Sequence, residues 1–145
     1  MRIAHNVVVT VFSKKEENEE EITRALLNLF PFSAQNYLEK QKTTGVNEEQ
    51  IMILTVKINK ESHTNNFLKL LFQSLGKEDK EILFEQKESR LDDELAFFIR
   101  LSKLKMLQSK YELTETGNCY HIKIQLATYP KSRQTALKII DKLLA

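Results

Sequence analysis

Residues Lys110–Thr128 read KYELTETGNCYHIKIQLAT, and this stretch decides the fold class. From Tyr120 onward the residues alternate. Tyr120, Ile122, Ile124 and Leu126 fall on one side of an extended chain, and His121, Lys123 and Gln125 fall on the other. A period of two, apolar on one side and polar on the other, marks an antiparallel strand with one face on a core and one in water. Just upstream, Gly117-Asn118 supplies turn chemistry, and Lys110–Thr114 predicts a short strand ahead of it. A hairpin there breaks strict strand–helix alternation. The expected class is therefore α+β: an antiparallel or mixed sheet of about four to five strands, helices packed on one face, in a single domain.

Working outward, Glu94–Leu101 (ELAFFIRL) predicts the strand before the hairpin, with Ser102–Ser109 as a loop or short helix. Ile3–Phe12 and Ile51–Ile58 are apolar and β-branched, as buried strands are. Between them, Asn18 is placed to cap a helix with Glu21 three residues on, and Ile22, Ala25, Leu26, Leu29 and Phe30 form its apolar stripe up to Pro31. A polar connector with its sharpest turn at Gly45 follows. A second helix, capped by Ser62 or Thr64, carries Phe67, Leu68, Leu71, Phe72 and Leu75 and ends at Gly76 as a left-handed C′ residue. Lys77–Arg90 predicts a weaker helix with Ile82 and Leu83 as its core positions. Pro130 starts the last helix, whose buried stripe is Ala136, Ile139, Ile140 and Leu143. With helices on one sheet face, the other is open, and Lys57, Arg100, His121, Lys123 and Gln125 are its candidate side chains.

Composition narrows the class further. A chain of 145 residues is long enough for one real core. No apolar run approaches the roughly 20 residues a membrane span needs, and Met1-Arg2-Ile3 leads directly into a strand pattern rather than a signal peptide. A cytoplasmic protein is expected. The single cysteine, Cys119, cannot form an internal disulfide, in keeping with a reducing compartment.

Charge is segregated along the chain. Phe97–Ala145 holds nine Lys/Arg against three Asp/Glu, while the residues before it hold thirteen against seventeen. Clustered cations attract polyphosphate, because releasing condensed counterions drives binding. Lys131 and Arg133 sit at the start of the last helix, where unpaired N–H groups already favour an anion. Tyr111, Tyr120 and Tyr129 offer stacking surfaces for unpaired bases, although strand tyrosines more often serve packing.

Catalytic signals are poor. Three scattered glycines cannot build a phosphate-cradling loop. His5, His63 and His121 lie in different elements, and Cys119 with His121 gives two ligands where a zinc site needs more. The same pair lacks an orienting third group for nucleophilic chemistry. Asp92-Asp93-Glu94 reads as punctuation before a strand rather than a cation site. No enzyme activity, cofactor or metal is expected.

Residue order adds a resemblance. In sequence, AHNVVVTVFSKKEENEEEITRALLNLFP, IMILTVKINKESHTNNFLKLL, LDDELAFFIRLSKLKML and CYHIKIQLATYPKSRQTALKIIDKLL resemble an archaeal family of small RNA-binding proteins known as predicted exosome subunits. The family shares a His-containing first strand, an acidic helix ending in L-F/L-P, an aromatic strand ending in R-L-x-K, and a final strand running into Y-P-x-x-R. The resemblance implies a fold related to the L-five type of large-subunit ribosomal protein, which binds the small ribosomal RNA. It also implies a non-catalytic RNA-binding role alongside the archaeal exosome. Arg100 and Lys103 match R-L-x-K, and Tyr129, Pro130 and Arg133 match Y-P-x-x-R. Where the family commonly has Asp before the motif lysine and Gln after it, this chain has Ser102 and Leu104. Either Lys103 is freed to meet phosphate or the motif has changed role.

The expected function is thus an RNA-binding accessory protein, with RNA and exosome subunits as partners. Arg100, Lys103, Lys105, His121, Lys123, Tyr129, Lys131 and Arg133 form the expected contact set. The alternative is a protein-interaction module whose cations serve only solubility.

Overall fold

A computed structural model describes all of residues 1–145. Five antiparallel strands form one sheet: β1 (Ala4–Lys14), β2 (Leu38–Thr44), β3 (Gln50–Ile58), β4 (Ala96–Ser102) and β5 (Cys119–Leu126), in the spatial order β2-β3-β1-β5-β4. Five α-helices accompany them: α1 (Glu19–Asn28), α2 (Glu61–Ser74), α3 (Lys77–Glu85), α4 (Lys103–Leu107) and α5 (Arg133–Leu144). The α+β class is as the sequence led us to expect. No helix is long and apolar enough to cross a membrane.

Alternation puts Val7, Val9 and Val11 of β1, Leu54, Val56 and Ile58 of β3, Phe97, Ile99 and Leu101 of β4, and Tyr120, Ile122, Ile124 and Leu126 of β5 on the same face. The helices bring Ile22 and Leu26 from α1, Phe67, Leu68 and Leu71 from α2, Leu83 from α3, and Ala136 and Ile140 from α5 against that face. Each fully buried large side chain contributes about 1.5–3 kcal/mol of transfer free energy. Asn18 Oδ1 accepts from the Glu21 N–H at 3.1 Å, so α1 starts as its sequence predicts.

Several local expectations are corrected. Lys110–Thr114 is not a strand; only Leu113 forms a bridge, to Leu101. Strand β2 lies in what reads as a polar connector, because LEKQKTT has no apolar alternation and six of its seven residues are exposed. Gly76 is not left-handed: it precedes α3 with φ −70° and ψ 163°. The left-handed residues of the β2–β3 turn are Asn47 and Glu48, and Gly45 instead donates to the Glu49 carbonyl at 2.7 Å. Gly45 has a steric role, since a Cβ there would sit 2.7 Å from Ile51 Cδ1. Neither Ser62 nor Thr64 caps α2; Thr64 is buried and its hydroxyl donates to the Glu61 carbonyl at 3.1 Å. Ser132, rather than Pro130, starts α5, its Oγ accepting from the Thr135 N–H at 3.1 Å.

The sheet's two edges differ. Along β4, Arg90 O accepts from Phe98 N–H, Leu91 pairs with Phe97 and Leu113 pairs with Leu101, so that edge is occupied. Asp92 Oδ1 accepts from the N–H groups of Glu94 and Ala96, which explains the acidic triplet as a turn holding the approach to β4. At the opposite edge, Lys40 and Lys42 blunt β2.

Candidate nucleic-acid interface

The face of the sheet away from the helices carries two cross-strand rows. One runs Glu39–Thr55–Thr10–His121–Arg100 from β2 to β4; the next runs Lys57–Val8–Lys123–Phe98 from β3 to β4. Neighbours in such rows have Cβ atoms about 4.5–5.5 Å apart, so these side chains form one surface. Lys57 and Arg100 are exposed, and His121, Lys123 and Phe98 are half-buried. None of the seven ion pairs in the structure involves Lys57, Arg100 or Lys123. Unpaired cations among aromatic and small polar groups suit a phosphate backbone with bases nearby.

Arg100 Nη1 donates to the Glu115 carbonyl at 3.0 Å, which anchors the guanidinium and leaves its other N–H groups without a protein partner. The His121 ring lies 5.4 Å from Phe98, tilted by 44°. Burial holds the His121 pKa below its ordinary 6.5, and Arg100 and Lys123 lower it further. At neutral pH the residue is therefore a neutral imidazole, not a cation. Phe12, 48% exposed, stands on the same face of β1. Thr10, Phe12, Arg100, Gly117, Cys119 and His121 line a cleft of about 300 Å³ there.

Lys103 departs from expectation. It is 3% exposed; its Nζ donates to the Phe12 carbonyl at 2.7 Å and lies 3.0 Å from Glu17 Oε1. Burial alone would raise the Glu17 carboxyl, but the Lys14 N–H and the Lys103 ammonium hold it below its ordinary value. The motif lysine thus has an acidic partner from the β1–α1 turn and is not free for phosphate. Ser102 caps α4, its Oγ accepting from the Lys105 N–H at 3.2 Å, and an aspartate would cap equally well. Leu104 is 64% exposed, and nothing in the structure explains it.

The remaining expected residues are dispersed. Lys105 is exposed on α4, 3.9 Å from Glu112. Arg133 donates to the Leu91 and Glu88 carbonyls, tying α5 to the chain before β4. Lys131 is exposed before α5, and Tyr129 is 78% exposed with its ring edge-on to His5 at 6.3 Å. Tyr120 is fully buried and donates to the Ile22 carbonyl at 2.8 Å; Tyr111 is half-buried against the core. Of the three tyrosines, Tyr129 is the most exposed. Burial pushes the Cys119 thiol up, keeping it protonated.

Reasoning from the sequence omitted Phe12 and Phe98 from the set. Phe12 and Phe98 were detectable as large aromatics on the wet side of their strands' alternation.

Fold and surface together define a class: single-domain α+β proteins with one sheet face packed by helices and the other open, basic and aromatic. The chain belongs to a family described as RNA binding, whose sequence profile it matches over residues 6–126. An RNA-binding protein of Pyrococcus abyssi is 27% identical over 144 residues, covering 97% of this chain and 94% of the relative. A crystal structure of an Archaeoglobus fulgidus protein is similar with a TM-score of 0.87 at 28% identity, covering 97% of this chain and 99% of that one. A structure from Methanothermobacter thermautotrophicus has a TM-score of 0.79 at 25% identity, covering 99% of each chain.

Proposed function

We propose that this protein is a non-catalytic RNA-binding accessory protein that lays the RNA backbone across the open face of its sheet. The observation that carries the reading is the pair of rows bringing Arg100, Lys123 and Lys57 together, unpaired, beside Phe98 and His121. Family membership supports the ligand class. Lys105, Tyr129 and Lys131 lie outside these rows and extend the contact set, whereas Lys103 and Arg133 act inside the fold. Backbone and shape are read more than base sequence, because the face has one guanidinium, on its β4 edge, and few planar amides.

An accessory role beside the archaeal exosome, and kinship with the L-five type of ribosomal protein, rest on the sequence resemblance alone. The alternative, a protein-interaction module, is favoured by one observation: Ile82 and Phe84 on α3 are 39% and 51% exposed. Amide chemical-shift mapping during titration with a structured RNA tests the choice. Shifts concentrated on β1, β5 and β4 are expected; shifts confined to α3, or none, overturn the reading.

A further inference from the structure

We infer that the cleft beside Phe12 receives one unpaired nucleotide of the bound RNA, so that the protein prefers RNA with an extruded or terminal base over a blunt duplex. This rests on reading the open face as the RNA surface. The cleft's volume, about 300 Å³, lies at the small end of ligand pockets, a scale closer to one nucleotide than to a base pair.

Its walls divide the labour by chemistry. Phe12 presents an aromatic face at the mouth, 48% exposed although it belongs to a strand. On the neighbouring strands, His121 and Arg100 pair across β5 and β4. Arg100 has N–H groups left for a phosphate oxygen after its bond to the Glu115 carbonyl. Thr10 pairs with His121 across β1 and β5, placing a hydroxyl beside the imidazole. Donor, acceptor and ring face thus converge at the scale of a single base. At the rim, a Cβ on Gly117 would meet nothing within 4 Å, so the mouth is unobstructed there. The carbonyl of Phe12 is held by Lys103 at 2.7 Å, so the strand carrying the ring is fixed from behind.

Base stacking tolerates sequence and requires an unpaired base, which gives a discriminating test. The chain contains no tryptophan, so Phe12→Trp installs a sole indole reporter in the cleft. The probes are a blunt RNA duplex, the same duplex with one extruded adenosine, and a matched single strand. The indole is expected to be quenched by the latter two and not by the blunt duplex. Wild type is expected to favour the extruded-base RNA over the blunt duplex by roughly tenfold, and Phe12→Ala to reduce that ratio to about one, whatever it does to the blunt-duplex affinity itself. Equal affinity for all three probes, or a preference that survives Phe12→Ala, overturns the subsite and leaves the RNA surface standing. Failure to bind any of the three overturns both.

Discussion

Lys103 and Glu17, 86 residues apart in sequence, form the most enclosed ion pair of the chain, with side-chain exposures of 3% and 27%. The pair joins the end of β4 to the turn between β1 and α1, and the same ammonium holds the Phe12 carbonyl. Breaking a buried pair costs more than its formation contributes, because the remaining charge is stranded. Glu17→Ala, which strands a buried ammonium, is expected to cost about 3 kcal/mol or more. Lys103→Met, which leaves a carboxylate within reach of water, is expected to cost less. Urea unfolding of both variants and of the double mutant checks this, and independent, additive losses would contradict it.

Acid should weaken the same link. The Glu17 pKa is lower in the folded protein than its ordinary 4.5, so the unfolded chain takes up the proton first. Its contribution to stability is full above that value and disappears as pH falls through the folded one. Lys103→Met should flatten the acid limb of a stability–pH curve; an unchanged limb would assign acid sensitivity to other carboxylates.

His121 responds oppositely in folding and in binding. Its folded pKa lies below 6.5, so stability declines as pH falls from that value. Bound phosphate favours the imidazolium, so RNA affinity should rise over the same window. Substitution by Phe should remove both effects. A His121→Phe protein that keeps the wild-type pH dependence of affinity would remove the residue from the interface.

At the start of α4, Ser102→Ala should destabilise by about 1 kcal/mol through loss of the cap, and Ser102→Asp should restore it. Thermal melts decide the matter. If both variants fail equally, the capping role of Ser102 is wrong.

Much of this architecture was legible because strand periodicity survives wherever one face is buried and one is wet. In β5 the alternation identified the strand, its faces, and the joint placement of His121 and Lys123. The polar strand β2 was not legible, since all but Leu38 are exposed and pairing to β3 alone defines it. Lys103 misled for a related reason: one position past a strand, the chain turns into α4 and carries the side chain inward. Arg133 reads as a helix-start cation, yet its donors go to carbonyls 42 and 45 residues away, which local sequence does not reveal.

The most direct test of the RNA surface is the salt dependence of binding to a fluorescent structured RNA, compared among wild type, Arg100→Ala, Lys123→Ala and Lys103→Met. Each phosphate contact adds about one unit to the log–log slope. A steep wild-type slope is expected, with a loss of about one unit for Arg100→Ala and for Lys123→Ala, and no change for Lys103→Met. A slope that is insensitive to Arg100 and Lys123, or that falls with Lys103, would contradict an RNA surface on the open sheet face.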